Sequence, residues 1–104
     1  MTARTQPEAL VRKAVRKHLE LGGWRVFPIV QSALSHRGLS DLFAMREGVV
    51  VFVECKTATG RLSDAQETFG ATCAECGVSY VVARSTADVD CLVDVLAYAD
   101  EVTV

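Results

Sequence analysis

Apolar residues recur at helical spacing in the first quarter of the chain. Glu8, Val11, Val15 and Leu19 share one stripe, flanked by Leu10 and Ala14. Arg12, Lys13, Arg16 and Lys17 fill much of the remaining surface. Thr5 and Glu8 have the spacing of a capping box, so Thr5-Gln-Pro-Glu8 is expected to open this helix and Gly22-Gly23 to stop it. Glu8 then has two readings: it closes the cap, or it is a carboxylate at the end of an inward stripe, able to point into a site. Beyond the glycines the period changes. Residues 24–30 are β-branched and aromatic and read as a strand, which Pro28 assigns to an edge or a bulge because it lacks an amide donor. A polar loop, 31–40, holds His36, Arg37 and Gly38.

Residues 41–45 and 49–56 read as a hairpin around Glu47-Gly48. A two-residue turn there pairs Met45 with Val50, Phe43 with Phe52, and Asp41 with Glu54. Opposed residues stand about 4.5–5.5 Å apart at Cβ, so the two acids would share one face. Lys56, two residues past Glu54, faces the same way, and Cys55 faces the other. A slip of one residue would set Asp41 against Val53 and scatter the group. Ser63 and Gln66 form a second capping-box spacing, opening a helix that runs to about Cys76, with Gly77 as its stop and Phe69, Cys73 and Cys76 inward. Residues 78–83 are a strand. Ser85-Thr86 should cap a last helix, with Leu92, Val93, Val95 and Leu96 apolar and Asp88, Asp90, Asp94 and Asp100 exposed; residues 101–104 could add a terminal strand. The order is αβββαβα, an α/β fold with helices flanking a mixed sheet.

At 104 residues, half of them hydrophobic, the chain is expected to fold as one domain, 1–104, with its own core. No apolar run approaches the roughly 20 residues of a membrane span, and the first residues lack the apolar core of a secretory signal. A soluble cytoplasmic protein is the expectation. Cys55, Cys73, Cys76 and Cys91 then read as reduced thiols, and Cys73-Ala-Glu-Cys76 lacks the second ligand pair of a zinc site. The net charge of −2 excludes a protein basic throughout, but residues 1–61 carry ten Lys/Arg against five Asp/Glu, and residues 62–104 carry one against eight. Such asymmetry suggests one face for a polyanion and another for solvent.

Two opposed carboxylates and a lysine within Val- and Phe-rich strands need a reason, because unpaired buried charge costs several kcal/mol. A hard divalent cation, Mg²⁺ or Mn²⁺, supplies one. Asp41 and Glu54 are its natural ligands, with the Cys55 backbone carbonyl as a third. Lys56 would stand beside a phosphate and its attacking water, as base or as charge stabiliser. Gln66, neutral and both donor and acceptor, could steady that group or simply cap its helix. A structural ion pair between Lys56 and one acid is the plain alternative, and it would leave one carboxylate unbalanced.

Glu8, Gly38-Leu-Ser-Asp41, Val53-Glu54-Cys-Lys56 and Gly60-Arg-Leu-Ser-Asp-Ala-Gln66 together resemble the VRR-NUC branch of the PD-(D/E)xK nuclease superfamily, over about residues 5–98. The resemblance implies a restriction-endonuclease-like core and Mg²⁺- or Mn²⁺-dependent hydrolysis of DNA. It implies that Asp41 and Glu54 bind metal, that Lys56 is catalytic, and that Glu8 helps hold the metal or its water. It also implies a phage-type homodimer acting on branched, flapped or junction DNA. Helix residues such as Arg12 and Arg16, with Arg25, Arg37 and Arg61, would contact the phosphodiester backbone rather than read bases. Two other readings share the fold: a non-catalytic nucleic-acid-binding module, and a nuclease subunit that needs a partner for targeting.

Overall fold

The computed structural model describes residues 7–32 and 36–93. Its elements are α1 (Glu8–Leu21), β1 (Arg25–Pro28), β2 (Leu42–Arg46), β3 (Val49–Cys55), α2 (Asp64–Glu75) and β4 (Ser79–Ala83). A 3-10 turn, Thr86–Val89, follows and runs into helical residues 90–93. The strands form one sheet in the order β1-β2-β3-β4. The first three are antiparallel neighbours, while β4 runs parallel to β3, a pairing that needs the crossover α2 provides. Pro28 closes β1 on the sheet edge, where its missing donor costs nothing.

The hairpin register is the expected one: Leu42 faces Val53, Phe43 faces Phe52, Met45 faces Val50 and Arg46 faces Val49. Glu47 and Gly48 both take positive φ, 50° and 81°, the backbone of a tight primed turn. Alternation along β3 then sends Val51, Val53 and Cys55 to one face and Phe52 and Glu54 to the other. Val11, Val15 and Leu19 of α1 cover the first face, against Val26, Leu42, Ala44, Val51, Val53 and Cys55. Burial of each Val or Leu among them contributes about 1.5–3 kcal/mol. Leu10 and Ala14, at the margins of the stripe, are exposed. The second face carries a row of rings. Phe27 stacks on Phe43 at 5.2 Å, and Phe52 meets Phe69 of α2 edge-on at 5.2 Å. Phe69 continues to Tyr80 at 5.9 Å.

Several expectations need correction. Helix α1 starts at Glu8, with Pro7 at its cap position and no side-chain cap bond. Glu8 is the first helical residue, so it cannot be the third residue of a capping box; Thr5 lies outside the described residues. Strand β2 starts at Leu42, and Asp41 sits in a bend just before it. Asp41 and Glu54 therefore stand one step past the last rung between β2 and β3, not in it. Strands β1 and β4 are shorter than expected. Gly77 does end α2, in a left-handed conformation, but Cys76 caps the helix and is exposed while Cys73 is buried. Ser85 makes no side-chain cap; the Asp88 carboxylate instead accepts the Arg84 backbone N–H at 2.8 Å. Asp88 and Asp90 are exposed, and Leu92 and Val93 pack on the core, as expected. Asp94, Val95, Leu96, Asp100 and the strand expected at 101–104 fall outside the described residues. Among those described, no helix is long and apolar enough to cross a membrane.

Candidate active site

The end of the sheet where β3 finishes and β2 begins gathers the acids. The segment before β2 lies directly on α2. Gly38 has φ +85°, and a Cβ there would stand 2.1 Å from the Ala65 carbonyl oxygen and 2.9 Å from the Gln66 nitrogen. Only glycine permits that approach. Ser40 is buried and donates its hydroxyl to the Leu42 carbonyl at 2.9 Å, which fixes the bend that holds Asp41. The Asp41 Oδ2 accepts the Cys55 backbone N–H at 2.8 Å, so β3 itself orients this carboxylate. Its Oδ1 lies 3.9 Å from a terminal nitrogen of Arg12 on α1.

Glu54 is 1% exposed. Its Oε1 accepts the Gln66 side-chain amide at 3.0 Å and lies 3.8 Å from Lys56 Nζ. Its Oε2 is buried without a hydrogen-bond partner. Glu8, Asp41 and Glu54 each offer an oxygen, all within 4.8 Å of one another. Burial first, then the charge of Asp41, pushes the Glu54 carboxyl up to about 8; Lys56 pulls it down, and the charge of Glu8 adds to the rise. In the absence of a cation, burial keeps the Glu54 carboxyl protonated at neutral pH.

The donor set fits a hard divalent cation. Three carboxylates converge, one with an unsatisfied buried oxygen, and neither His nor a thiol belongs to the group. Burial, then Asp41 and Glu54, pushes the neighbouring Cys55 thiol up to about 12, so its sulfur stays protonated and inert. Cys73 and Cys76 are free thiols and belong to no acid or histidine cluster among the described residues. Gln66 caps α2 as expected, and its side-chain amide reaches Glu54 rather than Lys56. Its Oε1 takes the Ser63 backbone N–H at 2.8 Å, its own backbone N–H goes to the Ser63 hydroxyl at 3.1 Å, and its amide nitrogen reaches Glu54.

The basic residues divide. Arg12 borders the acids and, with Ala9, Lys13, Arg16, Pro28 and Leu42, lines a cleft of about 210 Å³ between α1 and the sheet edge. Arg16 also pairs with Glu20 at 3.7 Å. Arg25, Arg37 and Arg61 are exposed, on β1, on the loop before Asp41 and on the turn before α2; none joins the acid cluster. His36 is exposed and its Nδ1 meets the Arg37 carbonyl at 2.8 Å, a loop contact rather than a ligand position.

One residue near the site escaped the sequence reading. Arg84, just past β4, donates through one terminal nitrogen to the carbonyls of Thr57 at 2.6 Å and Gly60 at 2.7 Å, in the turn after Lys56. The available signal was its charge, since it is the one Lys/Arg counted after residue 61.

The profile of the VRR-NUC domain matches residues 31–87 of the chain. A solved structure described as a VRR_NUC domain is similar, with 26% identity over 84% of this chain and 94% of that one, at a TM-score of 0.70. The mixed sheet between helices agrees with the restriction-endonuclease-like core. Among curated proteins, none matches.

Proposed function

The chain belongs to the VRR-NUC nuclease family, and from that premise we propose that it is a Mg²⁺- or Mn²⁺-dependent DNA endonuclease that selects branched, flapped or junction DNA by shape. The observation that carries this reading is the convergence of Glu8, Asp41 and Glu54 within 4.8 Å, with Lys56 Nζ 3.8 Å from Glu54. Asp41, Glu54 and the Cys55 carbonyl would hold the cation, with Glu8 beside them directly or through water. Bound there, a divalent cation would supply Lewis acidity to the phosphoryl group and make water a better nucleophile.

The chain's own groups do the rest. The Cys55 N–H fixes one oxygen of Asp41, and the other faces Arg12. Gln66 fixes one oxygen of Glu54 in the same way. Two carboxylates thus held need little reorganisation when charge develops. Lys56 contributes a positive charge at the edge of the group, 13% exposed, where it stabilises negative charge gathering on the phosphate or orients the attacking water. Arg12, Arg16, Arg37 and Arg61 hold the phosphodiester backbone; the basic cleft along α1 supports this for Arg12 and Arg16.

We extend this one nuclease domain over residues 1–104, around the 31–87 that the family profile matches. A phage-type homodimer is part of the same proposal. Phe27, Met45 and Val50, each about two-fifths exposed on one sheet face, offer apolar surface to a second copy. Free cysteines and a DNA substrate suit the cytoplasm of a bacterial or phage-infected cell.

The test is cleavage of duplex, flap and four-way-junction DNA with Mn²⁺, with Mg²⁺ and with EDTA. Cutting confined to the branched substrates and abolished by EDTA is the expected result. Tight junction binding with no metal-stimulated cutting would favour the non-catalytic reading, and activity appearing only with a partner would favour the targeted subunit.

A further inference from the structure

We infer that Arg84 is a positioning residue for Lys56 and Gln66, clamping the turn between β3 and α2; the inference rests on the nuclease reading above. Lys56 leaves β3 with its backbone N–H on the Ala83 carbonyl at 3.0 Å, so the residue next to Arg84 already holds the residue to be placed. The chain then turns sharply, with the Gly60 N–H on the Thr57 carbonyl at 3.2 Å. One terminal nitrogen of Arg84 draws in the Thr57 carbonyl at 2.6 Å and the Gly60 carbonyl at 2.7 Å, with the Ala58 carbonyl at 3.4 Å. Three carbonyl oxygens converging on one cation are charge-assisted contacts, stronger than neutral ones.

The turn packs against the lysine stem. A Cβ on Gly60 would stand 3.6 Å from Lys56 Cδ and 2.9 Å from the Thr57 hydroxyl. A turn held this close limits where the Lys56 side chain can lie. It also leads straight into Ser63, whose cap starts α2 and presents Gln66 to Glu54. Arg84 thereby governs two groups that touch Glu54 while touching none of the acids itself. A lysine offers a single-nitrogen donor as well, but on a differently shaped stem, so it would reproduce the clamp only in part.

The experiment compares wild-type, Arg84→Ala, Arg84→Gln and Arg84→Lys chains for thermal stability, Mn²⁺ binding by calorimetry, and kcat and KM on the best DNA of the panel. The expected result for Arg84→Ala is a kcat loss of about 10- to 100-fold, with Mn²⁺ affinity and KM within about twofold of wild type. Arg84→Lys should recover part of the loss, and millimolar guanidinium should partly rescue Arg84→Ala without affecting wild type. Wild-type kcat in Arg84→Ala, or in Arg84→Gln should the alanine variant not fold, overturns the inference. So does a loss confined to KM, which would make Arg84 a DNA contact. An inert wild-type chain would instead overturn the nuclease reading, and this inference with it.

Discussion

Gln66 donates its amide nitrogen to Glu54 at 3.0 Å while its amide oxygen accepts the Ser63 backbone N–H at 2.8 Å. One side chain therefore joins the start of a helix to a buried acid. The two roles separate in Gln66→Glu, which keeps an oxygen for Ser63 but faces Glu54 with a second carboxyl. Helix α2 should persist by circular dichroism. Metal-free stability should fall by roughly 1–2 kcal/mol at neutral pH, and cleavage should drop at least tenfold. Unchanged melting together with unchanged cleavage would show that the contact is idle.

Glu54 ties stability to pH. Its carboxyl titrates near 8 in the folded chain against an ordinary 4.5. The folded state binds this proton more tightly than the unfolded state does. The stabilisation is complete below about 4.5 and is lost as pH rises through about 8. In EDTA the melting temperature should therefore decline between about pH 5 and 8. Glu54→Gln should flatten that decline and raise stability at the alkaline end by a few kcal/mol, while abolishing Mn²⁺ binding and cleavage. A wild-type melting curve that ignores pH over this range would contradict the burial argument.

Lys56→Ala should fold, bind Mn²⁺ and cut DNA at least about a hundredfold more slowly in single turnover. Lys56 pulls the Glu54 pKa down, so its removal should raise that value further and carry the pH-dependent loss of metal-free stability to higher pH. Retained cleavage would remove the lysine from the mechanism.

Gly38→Ala should be among the most damaging changes outside the acids. The new methyl would overlap the Ala65 carbonyl, and the backbone there is left-handed. A cost of about 2–3 kcal/mol or more is expected. The displaced segment carries Asp41, so calorimetry should also show weakened Mn²⁺ binding. Near-normal melting and Mn²⁺ affinity would mean that the loop has room to move.

What the sequence revealed follows from which interactions have a side-chain signature. The hairpin was legible because alternation and a two-residue turn determine partners by arithmetic, from Met45 and Val50 down to Leu42 and Val53. The α1 stripe and the Ser63–Gln66 cap were legible because each has a fixed spacing. Glu8 was left between two roles, and the helix start at Glu8, with Pro7 at the cap position, decided against the capping box. The Asp41 bend was not legible, since its bond to the Cys55 backbone depends on where the strand stops rather than on residue type. Arg84 stayed hidden for a related reason: its partners are carbonyls, which every residue carries. Cys76 misled because it has the right phase but sits where the helix ends.

The tight turn at Glu47 and Gly48 has a bearing on the chain's tolerance of change. It lies at the far tip of the hairpin, remote from Glu8, Asp41 and Glu54, and yet it sets the count by which Asp41 and Glu54 come level. A one-residue slip of register forced from that tip would turn over every side chain of one strand, expelling its core residues as it carries one of the two acids to the wrong side. The chain gauges its reactive end from the opposite one, and insertions are tolerable there only where the longer turn keeps the strand register.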